Sequence, residues 1–331
     1  MEILEKNKKP YFILAPMVGN SELAWRTLAR RYGANICYTE MVHCEAFLRS
    51  KRNPVKNNWY CTNKEDRPLV IQICGNKPDV MLEACKILQT ECDAIDINFG
   101  CPQEIARKGK YGSWLQDDWE LVRSIVSTLS SNLDVPLFCK IRVFESIEKT
   151  VEYAKMIESA GCKLIAVHGR TREQKGVNSG LASWEHIKKV KENLSIPVVA
   201  NGNILYFCDL QACLDYTGCD GVMVAETHLY NPLIFCEIEK SSIEVYKEYL
   251  DICRNVPNSF EYKNIKSHSF KILNTLLKNN STLMVSLNKC NTLEEFYNFI
   301  AEVEQMDLDK NNFKMLPYIR DRKHNNKEDL K

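Results

Sequence analysis

The chain is short of everything that marks a non-globular protein. Its 331 residues include only 13 Gly and 11 Pro, while 45% are hydrophobic, which excludes fibrous and low-complexity chains. No apolar run approaches the ~20 residues that span a bilayer. The opening residues, MEILEKNKKPYFILAP, have no apolar signal core and no small-residue cleavage site, so secretion is not expected. Charge of either sign is not in excess: 44 Lys and Arg against 43 Asp and Glu leave +1. That total alone gives no reason to expect a nucleic-acid partner.

Cysteine is abundant, with 15 residues, but the useful spacings are missing. There is no CxxC, and Cys208 and Cys213 are the nearest pair, so no zinc site and no other metal is expected. An odd number cannot all pair, and disulfide frameworks belong to small secreted chains. Most cysteines sit in apolar stretches such as NICYTE, VIQICG and LFCKIR, where a reduced thiol acts as a small hydrophobe. The expectation is a reduced intracellular protein, cytoplasmic, with nuclear residence not separable from that by sequence.

Eight short apolar runs, each closed by polar or glycine punctuation, recur over the first two-thirds of the chain. They lie at 11–16, 35–40, 69–74, 93–98, 137–143, 164–169, 197–202 and 220–225. Their lack of polar alternation suits buried parallel strands. Helix-period segments stand between them: SELAWRTLARRY, PDVMLEACKILQ, WELVRSIVSTLS, EKTVEYAKMIESAG and WEHIKKVKENL. Ser21 is the expected N-cap of the first. Eight units in this length predict an α/β protein, a (β/α)8 TIM barrel of the usual ~250-residue size. A doubly wound sheet would favour a GxGxxG after the first strand, and none is present.

After about residue 238 the texture becomes wholly helical, through VYKEYLDICRNV, YKNIKSHSFKILNTLLK, STLMVSLNKC and LEEFYNFIAEVEQMD. The predicted organisation is a barrel at 1–238, a small all-α domain of about four helices at 239–320, and a polar tail at 321–331.

In a barrel, chemistry collects at the C-terminal strand ends. Those positions here carry Pro16 and Met17, Gln72, Asn98 with Cys101, Lys140, His168 with Arg170, and Asn201, Gly202 and Asn203. Amide and cationic donors around a mouth suit a flat heterocycle that gains negative charge on reduction, and a lysine near N1 of a flavin would stabilise the reduced anion. Phosphate sites in barrels follow strands seven and eight, here ANGNI and AETHLYNP. An FMN pocket and a phosphosugar site both fit these features. Cys101 differs from the other cysteines in standing between Gly100 and Pro102, on a turn past a strand end, where a thiol can act as nucleophile or general acid.

The blocks VIQICG, DINFGCPQEIARKGKYGSWL, KIRV, AVHGRTREQKG and ANGN resemble those of the tRNA-dihydrouridine synthase family over nearly the whole chain. YTEM, LYNP and IKSHSFKIL look like the eukaryotic branch that acts on D-loop positions 16 and 17. The resemblance implies reduction of the uridine C5–C6 double bond in tRNA, with FMN as cofactor and NADPH as electron donor. Hydride would reach C6 from the flavin and Cys101 would protonate C5 from the opposite side. By the same resemblance Pro16, Met17, Val18, Gln72, Lys140 and His168 would hold the flavin ring and ribityl chain. Asn201, Gly202, Asn203, Ala225 and Glu226 would hold its phosphate, and Asn98 and Arg170 would meet the uridine. One departure stands out: Thr227 replaces an expected glycine after Glu226, removing backbone freedom, although its hydroxyl could donate to phosphate.

A base inside folded tRNA must be extruded to reach such a pocket, and phosphate contacts supply most of the sequence-independent affinity. Residues 253–290 carry six basic side chains, among them Lys266, Lys271 and Lys278, against one acidic, and Lys271 and Lys278 are spaced to share a helix side. Arg49, Lys51, Arg52 and Lys56 form a second basic stretch. Residues 291–309 carry six acidic side chains and no basic one, so the +1 total conceals segregation. A monomer that binds tRNA, with no membrane and no metal, is expected. The alternatives are an FMN barrel oxidoreductase acting on a small molecule and a redox-inactive RNA-binding relative.

Overall fold

A computed structural model describes residues 10–51, 60–176 and 179–316; Arg52, Lys56 and the expected tail at 321–331 lie outside that set. The apolar runs form β1 (Tyr11–Leu14), β2 (Ile36–Tyr38), β3 (Val42–His43), β4 (Leu69–Cys74), β5 (Ala94–Phe99), β6 (Leu137–Arg142), β7 (Leu164–His168), β8 (Val198–Asn201) and β9 (Gly221–Val224). Every pairing is parallel. β1 lies between β2 and β9, and β2 pairs with β4, so eight strands close into a barrel. The two-residue β3 continues the line of β2 along β4, pairing Val42 with Ile73. Tyr11, Tyr38, Val70, Ala94, Phe138, Leu164, Val199 and Met223 fill the barrel interior, which is a packed core.

The outer layer consists of α1 (Leu23–Arg31), α2 (Cys44–Lys51), α3 (Pro78–Leu88), α4 (Glu104–Gly109), α5 (Trp119–Ser130), α6 (Ile147–Ser159), α7 (Trp184–Asn193), α8 (Phe207–Thr217) and α9 (Glu226–Tyr230). The expectation for Ser21 is corrected. Glu22 occupies the N-cap position of α1, while the Ser21 hydroxyl accepts from Met17 N and donates to Met17 O, closing the loop after β1. α8 escapes sequence patterning because Cys, Asp and Thr are weak helix formers. It is started by Asp209, whose carboxylate accepts from Leu205 N and Tyr206 N.

From Ser242 onward the described chain is helical: α10 (Ser242–Asn255), α11 (Tyr262–Ile272), α12 (Asn274–Lys278), α13 (Ser281–Lys289) and α14 (Leu293–Glu304), with a 3-10 turn at Lys310–Phe313. The expected single helix around Lys271 is two helices, broken at Leu273 with φ −89° and ψ 15°. Ile272, Leu273, Leu276 and Leu277 are all buried, a demand that the break helps to meet. Lys271 and Lys278 therefore do not share one continuous helix. The core of this part runs into the barrel's outer core. His268 stacks on Trp25 of α1 at 3.8 Å, and the Tyr249 hydroxyl donates to Glu22 Oε1 at 2.9 Å.

Candidate active site at the barrel mouth

Asn98 and Cys101 are brought together by a turn at the end of β5. The Asn98 side-chain oxygen accepts from the backbone N–H groups of Gly100 (3.0 Å) and Cys101 (2.8 Å), an Asx-type closure that three residues of spacing allow. The Cys101 carbonyl accepts from Ser113 N and Ser113 Oγ, and Arg142 Nε donates to the Gly100 carbonyl at 2.9 Å. Gly112 has φ +67°, and a Cβ there would stand 2.6 Å from the Cys101 carbonyl oxygen, so only glycine lets the next segment pass so close. Cys101 is half-buried on this turn, whereas most other cysteines are buried in the core.

Beside the turn runs a row of buried polar groups. Gln72 donates through Nε2 to Asp96 Oδ2 and accepts at Oε1 from Asn98 Nδ2, both at 2.8 Å. Lys140 donates to Asn201 Oδ1 at 3.0 Å, and Asn201 Nδ2 donates to the Met223 carbonyl at 2.8 Å. Burial and then the neighbouring Arg142 bring the Lys140 ammonium down to about 8. Burial pushes the Asp96 carboxyl up to about 7, against Gln72 and Lys140. Burial, Lys140, Arg142 and Arg170 hold His168 well below its ordinary value, so its ring is neutral. Arg170 Nη1 stands 3.1 Å from His168 Nε2; a guanidinium can only donate, so Nε2 accepts and the ring proton is on Nδ1.

A cleft of about 270 Å³ opens from this row, lined by His168, Arg170, Asn201, Gly202, Asn203, Ala225 and Glu226. Arg142 and Lys175 also reach it, so cations outnumber the single Glu226 carboxylate. Gly202 has φ +121°, and a Cβ there would meet the Ala182 Cβ at 2.6 Å. Ala15 N donates to the Val224 carbonyl, which sets Pro16 and Met17 beside the end of β9; Val18 is on an exposed turn with 69% of its surface open. Arg170 is spent on structure as well as lining the cleft, donating to Ser179 O, Gly180 O and Asn203 Oδ1.

Two expectations change. The Thr227 hydroxyl donates to the Ile204 carbonyl at 2.5 Å, clipping the loop after β8 to α9, and is not turned toward a phosphate. The chain at Thr227 does not take a positive φ, so glycine is not required. Lys266 is engaged away from the mouth, donating to Asn288 O and Asn291 Oδ1. Lys271 donates to Asn20 Oδ1 in the loop after β1, at the barrel rim, and to Ser267 Oγ. Lys278 ends α12, and Arg254 pairs with Glu294 and lies over the Tyr297 ring. Sequence reasoning missed Asp96, whose signal was a charged residue in the middle of an apolar strand run. It also missed Gly112, which passes close to the Cys101 turn that Arg142, a strand-end residue of β6, braces.

The described residues contain no cluster able to hold a metal and no helix long and apolar enough to cross a membrane. A closed parallel βα barrel thus carries a braced thiol turn beside a cation-lined cleft at its mouth. The chain belongs to the dihydrouridine synthase family, whose model matches residues 13–318. It is 48% identical over 283 residues to a rat protein named tRNA-dihydrouridine(16/17) synthase [NAD(P)(+)]-like, covering 85% of this chain and 64% of that protein. It is 45% identical over 312 residues to the Schizosaccharomyces pombe tRNA-dihydrouridine(16/17) synthase [NAD(P)(+)], covering 90% and 78%. The Saccharomyces cerevisiae protein of the same name is 43% identical, with 89% and 73% covered. The chain thus spans less than two-thirds of the rat relative's length.

Proposed function

We propose that this chain reduces the C5–C6 double bond of D-loop uridines in tRNA, at positions 16 and 17, using FMN and NADPH. The observation that carries the reading is the Cys101 thiol, held on a braced turn next to a row of amide and cationic donors. The donor set fits a flavin mononucleotide. Lys140 and Gln72 suit the ring, and Gly202, Asn203, Ala225 and the cleft's excess of cations suit the phosphate. Held by these residues, FMN would supply the hydride for uracil C6, with NADPH as the source of electrons. Cys101 gives its proton to C5 and regains one from solvent. Asn98 has both polar atoms engaged within the chain, so it can offer uracil only its second amide N–H. Neutral His168 donates from Nδ1–H. In this reading residues 1–238 are the catalytic domain and 239–320 the tRNA-binding domain, with Lys271 at the rim nearest the mouth. One chain suffices, and the substrate admits both cytoplasm and nucleus.

The test is to purify the protein, record its visible spectrum, and follow NADPH oxidation with unmodified tRNA while mapping dihydrouridine. Flavin bound, tRNA-dependent oxidation and product at 16 and 17 are expected. Oxidation indifferent to tRNA would instead identify a small-molecule oxidoreductase, and tRNA binding without flavin a redox-inactive RNA-binding protein.

A further inference from the structure

We infer that Asp96 is a positioning residue for the Cys101 turn, acting through a polarised relay of two side-chain amides, Gln72 and Asn98. Only the kinetic arm of its test rests on the proposed tRNA chemistry. Asp96 and Asn98 are two apart on β5 and so face the same side, and Gln72 stands opposite Asp96 in the β4–β5 register. The chain of bonds runs in one direction. Cys101 N–H and Gly100 N–H donate to Asn98 Oδ1, Asn98 Nδ2 donates to Gln72 Oε1, and Gln72 Nε2 donates to Asp96 Oδ2.

Both ends of this chain have a fixed sense. A backbone N–H can only donate, and Asp96, whose carboxyl burial pushes up to about 7, keeps an unprotonated oxygen to accept from Gln72 in either charge state. Between them each amide has one orientation that satisfies its neighbours, and turning either puts two donors or two acceptors face to face. Asp96 and Gln72 are buried, so water does not compensate a wrong turn. The remaining Asp96 oxygen, Oδ1, has no partner among the described residues. Burying a carboxylate with only one of its oxygens satisfied is costly, and a packing role gives no reason for it. Lys140 and Cys139 from β6 and the Tyr38 hydroxyl from β2, which has no partner among the described residues, are ionisable groups that sense it. Arg142 and Ser113 hold the carbonyls of the turn, and the relay holds its N–H side. The direction of the Cys101 side chain follows from both.

The measurement is the rate at which iodoacetamide alkylates Cys101 in the protein as purified, followed on the Cys101 peptide by mass spectrometry. Asp96→Leu removes the acceptor that Gln72 Nε2 needs, and Gln72→Leu cuts the relay in the middle. Each should raise the alkylation rate at least twofold by loosening a half-buried thiol, and the double variant should add nothing to Gln72→Leu. Rates within twofold of wild type, or effects that multiply in the double variant, would overturn the relay. Should Asp96→Leu fail to fold, Gln72→Leu still decides. In turnover with saturating tRNA, Asp96→Leu should lower kcat per bound flavin about tenfold with the tRNA KM little changed. An unchanged kcat per flavin would also overturn it. A wild-type protein inactive on tRNA would sink the proposed function and leave the thiol measurement to judge the relay.

Discussion

Lys140 Nζ donates to Asn201 Oδ1 at 3.0 Å, spanning from β6 to β8 across the barrel mouth. The bond leaves a buried ammonium paired with a neutral amide, and burial brings Lys140 down to about 8. In the proposed role the protonated form stabilises negative charge on the reduced cofactor.

Activity should therefore fall as pH rises through about 8, and Lys140→Met should both slow cofactor reduction and remove that limb. The fall is not unfolding. Between about 8 and the ordinary lysine value of 10.5, the unfolded chain holds a proton that the folded chain has lost. Stability rises with pH wherever the unfolded state binds more protons, so Lys140 becomes less costly to bury over that range. Melting temperatures of wild type and Lys140→Met at pH 8 and pH 9.5, beside the pH–kcat profile, check both signs.

Cys101→Ala should retain flavin and lose turnover. General acid catalysis contributes roughly 10²–10⁴-fold, and no neighbouring side chain on the turn replaces the thiol. Flavin absorbance together with dihydrouridine formation on unmodified tRNA separates the two effects. Parallel loss of flavin would place Cys101 in cofactor binding.

Two glycine substitutions should divide the site into halves. Gly112→Ala places a Cβ 2.6 Å from the Cys101 carbonyl oxygen and should lower kcat at least tenfold with flavin content kept. Gly202→Ala drives a Cβ into Ala182 and should lower flavin occupancy instead. Each also puts a side chain at positive φ, at a cost of about 1–3 kcal/mol. Equal effects on flavin content would refute the division.

Away from the mouth, Asp66 accepts from Arg26 Nε (2.9 Å) and Nη2 (2.6 Å) and from Arg30. Burial raises the Asp66 carboxyl, but Arg26 and Arg30 outweigh it and hold it below its ordinary value. Its contribution is present above the ordinary carboxylate range and lost as pH falls through the folded value. Asp66→Asn should cost about 3–5 kcal/mol at neutral pH, since it leaves a buried guanidinium without its charge partner. Urea melts at pH 7 and about pH 2.5, below the ordinary carboxylate value of 3.8, should show that loss shrinking in acid.

Much of the barrel is legible in the order of residues alone. Apolar runs with little polar alternation mark strands buried on both faces, and their number and spacing imply closure. The same logic singled out Cys101, because a thiol between Gly100 and Pro102 cannot continue a strand. It failed where geometry depends on partners far along the chain. α8 is made of weak helix formers and is rescued by Asp209. The expected Lys271–Lys278 face disappears because the chain breaks at Leu273 to bury four consecutive-turn apolar residues. Thr227, suspect by comparison with glycine, is benign because its hydroxyl finds the Ile204 carbonyl.

The near-neutral charge follows the same division. Composition establishes +1 and its segregation into a basic stretch and an acidic one. Only packing shows that Arg254 meets Glu294 and Lys266 meets the 288–291 turn, while Lys271 reaches the mouth. Residue order specifies which stretches can be buried and which residues carry chemistry, since periodicity and residue type are local. Which donors remain for a ligand, and which amide must face Cys101, depends on hydrogen bonds between strands and on which groups are shut away from water. Those relations exist only once the barrel has closed.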